Sequence, residues 1–184
     1  MPLRITAGEW RGRSLKCLEG LTVRPTPSMV REAMFNILSD YFPCRLVLDI
    51  YAGCGTLGLE ALSRGSQRAV MVEKDPRAAK LITDNLQKIG AGERAKLQMG
   101  DALHYLTVCS GKFDLILADP PYAEHCAGQI IKAVAESEAL EGRGCLVIQH
   151  STAERPPSSW VRLEQWKAKR YGRTQLSFYR NRPE

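Results

Sequence analysis

Asp119-Pro120-Pro121-Tyr122 directly follows the apolar run Phe113 to Ala118, so an acid, two prolines and an aromatic stand at the end of a buried strand. Proline fixes φ and lacks an N–H, which lets the carbonyls of Asp119 and Pro120 be held outward as acceptors. Tyr122 offers a π-face on which a flat ring can stack. An amine on that ring would donate its hydrogens to the carboxylate and to a backbone carbonyl. The chain's other Pro-Pro, Pro156-Pro157, has neither acid nor aromatic in register.

A second constellation runs Asp49-Ile50-Tyr51-Ala52-Gly53-Cys54-Gly55-Thr56-Leu57-Gly58, in which Gly53, Gly55 and Gly58 fit G-x-G-x-x-G. Glycine there lets the backbone turn sharply and approach a ligand. Glu73, followed by Lys74, stands 20 residues past Gly53, where a carboxylate suits two ribose hydroxyls. Nicotinamide enzymes share this signature, but two further acids tilt the reading. Asp49 would repel a pyrophosphate and suits a cationic amino-acid portion. Asp101, in Met99-Gly100-Asp101-Ala102, can accept from an adenine amine or simply cap a helix. A ligand with an α-ammonium, a ribose and an adenine but no phosphate is S-adenosylmethionine, with S-adenosylhomocysteine as its product. The expected cofactor residues are Asp49, Tyr51, Gly53, Gly55, Gly58, Glu73, Lys74, Asp101 and Ala102.

The elements that must position these residues are legible. Leu46–Ile50, Ala69–Val72, Ala95–Met99, Phe113–Ala118 and Cys145–Ile148 read as buried strands. Between them, a helix over Thr56–Arg64 stops at Gly65. Another has Asp75 as N-cap, Pro76 at the first helical position and Gly90 as terminator. A third spans about Gln129–Ala139. Such alternation predicts an α/β fold with a parallel sheet covered on both faces. Trp160–Lys169 and Thr174–Tyr179, joined by Tyr171-Gly172-Arg173, read as an antiparallel hairpin. Residues 1–45 look like an addition to a domain over 46–184: a ribbon pairing Arg4–Ala7 with Ser14–Cys17, then a helix from Ser28 to Tyr41.

The net charge of +6 is concentrated at the ends: residues 1–31 carry six basic and two acidic side chains, and residues 151–184 eight and three, whereas 32–150 sum to −3. Basic flanks around a mildly acidic middle suit a polyanionic partner. The six cysteines include no C-x-x-C pair, which argues against a zinc site, and they read as reduced thiols. No apolar run approaches a membrane span and Met1-Pro2-Leu3-Arg4 begins no signal peptide, so a cytoplasmic location is expected, without membrane or metal.

With these residues in view, the chain resembles the class I S-adenosylmethionine-dependent methyltransferases, and specifically the bacterial 16S ribosomal RNA guanine-N2 methyltransferase family. The likeness covers nearly the whole length. It is carried by Arg4-Ile5-Thr6-Ala7-Gly8-Glu9-Trp10-Arg11-Gly12-Arg13, Arg24-Pro25-Thr26, Val30-Arg31-Glu32-Ala33-Met34-Phe35-Asn36, the glycine turn and the Asp-Pro-Pro-aromatic box. Tyr51 replaces a usual Phe, Cys54 a common Ser, and Tyr122 a frequent Phe. The resemblance implies a Rossmann-like, seven-stranded, mostly parallel sheet whose last strand is antiparallel. It implies methyl transfer to the exocyclic amine of one guanine, position 966 of small-subunit RNA, with Asp119, Pro120, Pro121 and Tyr122 as the catalytic box. Arg4, Arg11, Arg13, Arg24 and Arg31 are then candidates for RNA phosphates, with Lys167, Lys169 and Arg170 behind them. The partner is 16S ribosomal RNA or a small-subunit assembly particle, and the enzyme a monomer.

Two other readings use the same residues. A DNA adenine-N6 methyltransferase shares the amine box but usually needs a larger recognition domain. A nicotinamide-dependent dehydrogenase shares the glycine turn but leaves Asp119 to Tyr122 without a purpose.

Overall fold

The computed structural model describes residues 3–17, 28–121 and 125–183; the five apolar runs are strands there, four of them largely buried and Ala95–Met99 a half-exposed sheet edge. Tyr122 and Arg24 lie outside the described residues. Strands β1 (Leu46–Ile50), β2 (Arg68–Glu73), β3 (Ala95–Met99), β4 (Phe113–Ala118) and β5 (Leu140–Ser151) pair in parallel. The C-terminal hairpin is present as β7 (Leu163–Tyr171) and β8 (Thr174–Asn181). With β6 at Ser159–Trp160, the sheet order among the described residues is β3-β2-β1-β4-β5-β8-β7-β6, and β8 runs antiparallel to β5. The architecture matches the expectation except in strand count. The eighth strand, β6, is the two-residue Ser159–Trp160 paired to the start of β7, too short to leave a period in the sequence.

Helices α1 (Ser28–Ile37), α2 (Thr56–Ser63) and α3 (Pro76–Ile89) cover one face, where Met34, Phe35, Leu59, Leu62 and Ile82 join Val47, Leu115 and Val147. The other face carries α4 (Ala102–Val108) and α5 (Ala127–Ser137), packed on Leu48, Ile50, Ile116 and Ile148. Alternate strand residues feed opposite layers, as the pleat requires. The signals at α3 hold: Asp75 accepts from the Arg77 N–H and Gly90 ends the helix at φ 74°.

Three boundaries differ from expectation. Helix α1 ends at Ile37 and is followed by a single 3-10 turn, Ser39–Tyr41, closed by the Phe42 N–H on the Ser39 carbonyl, with Phe42 extended at φ −104°, ψ 142°. Helix α4 leaves little periodicity, since it spans seven residues and buries only Ala102 and Leu106. Strand β5 runs on past Ile148 because Gln149 and His150, though polar, are buried with partners.

The ribbon exists as one bridge, Arg4 to Ser14, flanked by bonds from the Ile5 N–H to the Arg13 carbonyl and from the Gly12 N–H to the Ile5 carbonyl. Ile5, Trp10 and Leu15 enter the α1–α3 core. A fully buried carboxylate, Glu60 of α2, fastens the segment. It accepts from the N–H groups of Thr6 and Ala7 and pairs with Arg31 and Arg64 at 3.3 and 2.9 Å.

Candidate functional site

Strand order reverses at β1, which lies between β2 and β4, and such a switch point opens a crevice at the carboxyl ends of the strands. A cavity of about 240 Å³ occupies that crevice. Asp49, Tyr51, Gly53, Glu73, Lys74, Ala102, Asp119 and Pro121 line it. The glycine turn and the Asp-Pro-Pro box, some 66 residues apart between Gly53 and Asp119, therefore share one space.

Each glycine has its own reason. Gly53 lines the cavity with no atom within 4 Å of where a Cβ would sit. Gly55, at φ 81°, is the N-cap of α2. Gly58 is fixed by contact: a Cβ there would fall 2.6 Å from Met71 Cε and 3.3 Å from Asp49 Oδ2. Tyr51 is not a glycine yet holds φ 65°. Such conformers cost on the order of 1–3 kcal/mol and gather at functional sites.

Three carboxylates define the electrostatics. Asp49 is 1% exposed; its Oδ2 accepts from the Gly58 N–H at 2.8 Å, while its Oδ1 is buried with no hydrogen-bond partner among the described residues. Burial, reinforced by Asp119 and Glu73, pushes its pKa up to about 8, against the pull of the Gly58 bond. Glu73 ends β2 with Oε2 on the Gly53 N–H at 2.7 Å and Oε1 on the Asp75 N–H at 2.8 Å. Each oxygen keeps capacity for a second donor. Asp119 Oδ1 accepts from Gln149 Nε2 at 2.8 Å. An orphaned buried oxygen in an acidic pocket calls for a cationic ligand with N–H donors.

Some expected residues lie elsewhere. Pro120 is buried and does not line the cavity. Asp101 is exposed and its Oδ1 caps α4 through the His104 N–H at 2.9 Å, while its neighbours Gly100 and Ala102 line the cavity. The expectation for Arg31 is overturned. Its side chain is 0% exposed, its Nε lies 3.3 Å from Glu60 Oε2, and an Nη bonds the Arg4 carbonyl, so no phosphate can reach it. Arg4, Arg11 and Arg13 are exposed, although Arg4 also bonds the Gly12 carbonyl and Arg13 the Ile89 carbonyl. Gln149, Asn85 and Cys17 were not foreseen at the site. The one hint was polar Gln149 continuing an apolar run.

The family described as "Conserved hypothetical protein 95" matches residues 3–180. Ribosomal RNA small subunit methyltransferase D of Haemophilus influenzae is 32% identical over 169 residues, covering 89% of this chain and 87% of that one. The chain belongs to this methyltransferase D family. YlbH of Bacillus subtilis, named as an rRNA methyltransferase, is 33% identical over 183 residues, covering 98% of this chain and all of that one. The solved structure of Escherichia coli yhhF, described as a methyltransferase, superposes with TM-score 0.86 at 27% identity, over the full length of both chains. Methyltransferase D chemistry thus accounts for the acidic crevice: the cofactor is S-adenosylmethionine, a sulfonium with an α-ammonium. Among the described residues no helix is long and apolar enough to cross a membrane, and no cluster of His, Cys, Asp or Glu could hold a metal ion.

Proposed function

We propose that this methyltransferase modifies the exocyclic N2 amine of a guanine in 16S ribosomal RNA during small-subunit maturation, at the family's position 966. The observation that carries the reading is the Asp119 carboxylate, held through one oxygen by Gln149, lining the same cavity as Gly53, Asp49 and Glu73. An amine acceptor and a cofactor cradle are thereby within one crevice.

In this reading Asp49 Oδ1 receives the α-ammonium, Glu73 the ribose hydroxyls, and the wall at Gly100 and Ala102 the adenine. Bound there, the cofactor supplies an electrophilic methyl group on sulfur. The guanine N2 lone pair is delocalised into the ring, which makes the amine a poor nucleophile. Asp119 accepts a hydrogen from the amine and so turns the lone pair out of the ring plane, while Tyr122 stacks on the base. Orientation of this kind is worth roughly 7–11 kcal/mol. As the nitrogen becomes cationic, the Asp119 carboxylate stabilises it more than it did the neutral amine. A nicotinamide dinucleotide fits poorly, because its pyrophosphate would meet three carboxylates.

The base must be extruded or single-stranded for its amine to enter. Residues 1–45 serve as the RNA-contacting extension of a catalytic domain over 46–184, with Arg4, Arg11, Arg13 and Arg24 on phosphates and Lys167, Lys169 and Arg170 of β7 in support. The test is methylation of unmodified 16S RNA and of partly assembled small subunits, followed by mass analysis of the nucleosides. N2-methylguanosine is expected. N6-methyladenosine, or methylation of duplex DNA instead, contradicts the reading.

A further inference from the structure

The sulfurs of Cys17 and Cys54 are 2.6 Å apart, and both residues line the cavity described above. Their meeting is built by the backbone. Asn85 of α3 is 0% exposed; its Oδ1 accepts from the Lys16 N–H at 2.8 Å, and its Nδ2 donates to the carbonyls of Lys16 at 2.9 Å and Cys54 at 3.0 Å. One buried amide thus holds the N-terminal segment and the glycine turn in fixed register, with a sulfur on each.

We propose that Cys17 and Cys54 are a disulfide-forming pair in the cavity wall, cross-linked by peroxide-class oxidants when the cavity is empty and shielded when the cofactor fills it. This rests on the assignment of the cavity to S-adenosylmethionine made above. Cys17 is half-buried and Cys54 buried. Oxidation therefore starts at Cys17, the more exposed residue of the two. The Cys17 thiolate takes one oxygen from hydrogen peroxide, becoming a sulfenic acid as hydroxide leaves. The Cys54 sulfur then attacks that sulfur, the S–S bond forms, and the sulfenic oxygen departs as water. Two thiols and one peroxide give one disulfide and two waters; the sulfurs lose two electrons to the broken O–O bond. Exchange with a dithiol reverses the step. The consequence is that the methyltransferase deprived of its methyl donor is the form that oxidant cross-links.

The reduced full chain is exposed to a slight excess of hydrogen peroxide with and without S-adenosylhomocysteine, quenched with N-ethylmaleimide and mapped by peptide mass. A peptide pair joining Cys17 to Cys54 is expected, absent in Cys54→Ser and in Cys17→Ser and lost on dithiothreitol treatment. S-adenosylhomocysteine at ten times its Kd slows its formation about tenfold, following the unliganded fraction. Oxidation of other cysteines without this link overturns the pair. Equal rates of cross-linking with the ligand demonstrably bound overturn the shielding. The cavity assignment is tested separately by titrating S-adenosylhomocysteine into Asp49→Asn: unchanged affinity there refutes the assignment and leaves the peptide map to judge the pair alone.

Discussion

Gln149 Nε2 donates to Asp119 Oδ1 at 2.8 Å, tying the residue after β4 to its neighbour on β5, one step beyond the register pair Ala118 and Ile148. Gln149 is 2% exposed, so the amide cannot wander, and it fixes one carboxylate oxygen while the group lines the cavity. The residue orients an acceptor. It supplies no proton and touches no reacting atom in the proposed chemistry.

Gln149→Leu keeps the volume and removes the donor. Turnover should fall about tenfold, equivalent to ~1.4 kcal/mol, with the Kd for S-adenosylmethionine and the KM for RNA nearly unchanged. Steady-state kinetics beside calorimetric titration checks this. A change in KM alone would assign Gln149 to binding instead.

Asp49 gives a pH signature. Its folded pKa, about 8, lies above the value near 3.9 of an unfolded aspartate. Between those values the native state binds the extra proton, so stability of the ligand-free protein falls as pH rises from about 4 to about 8. Asp49→Asn removes this slope, and its melting temperature should exceed that of the parent by several degrees at pH 8 while matching it at about pH 4. Cofactor binding to the parent should release a proton near pH 7, visible as a buffer-dependent binding enthalpy. The variant should bind weakly and without that dependence.

The glycine turn was readable because its signals are local: a sharp turn, an N-cap at Asp75 and a terminator at Gly90 each depend on residues within one helical turn. Arg31 was misread for the opposite reason. In sequence it sits in a basic stretch, and the acid that neutralises it, Glu60, is 29 positions away on another helix. Asn85 and Gln149 interrupt apolar patterns and look like solvent-facing positions. Their partners, Lys16, Cys54 and Asp119, adjoin them only after the sheet and ribbon are assembled. The proline box could be placed from sequence at the end of β4 and beside the glycine turn, and Asp119 and Pro121 do line the same cavity as Gly53.

The buried hub separates structure from RNA contact. Glu60→Ala leaves the buried Arg31 guanidinium without its carboxylate counter-ion and should destabilise the fold by about 3–5 kcal/mol, measured by urea denaturation. Arg31→Ala should likewise lower stability. Arg11→Ala should leave the denaturation midpoint nearly unchanged, while Arg13→Ala lowers it modestly through loss of the bond to the Ile89 carbonyl. Each should weaken RNA binding and reduce the slope of log Kd against log salt by about one.

Gly58→Ala tests the close contact behind the turn. The added methyl meets Met71 Cε, a movable tip, so the cost is set by repacking, on the order of 1–3 kcal/mol. Shortening the neighbour in Gly58→Ala/Met71→Val should recover part of it. No loss in the single variant would mean the helix stands further from β2 than described.

The most direct test of the account is single-turnover transfer of labelled methyl from S-adenosylmethionine to 16S RNA by Asp119→Ala, with cofactor affinity measured on the same preparation. Transfer should fall by at least about a hundredfold, as for loss of a transition-state acceptor, while the cofactor binds as in the parent. Near-normal transfer by Asp119→Ala would contradict the assignment of this carboxylate to the target amine.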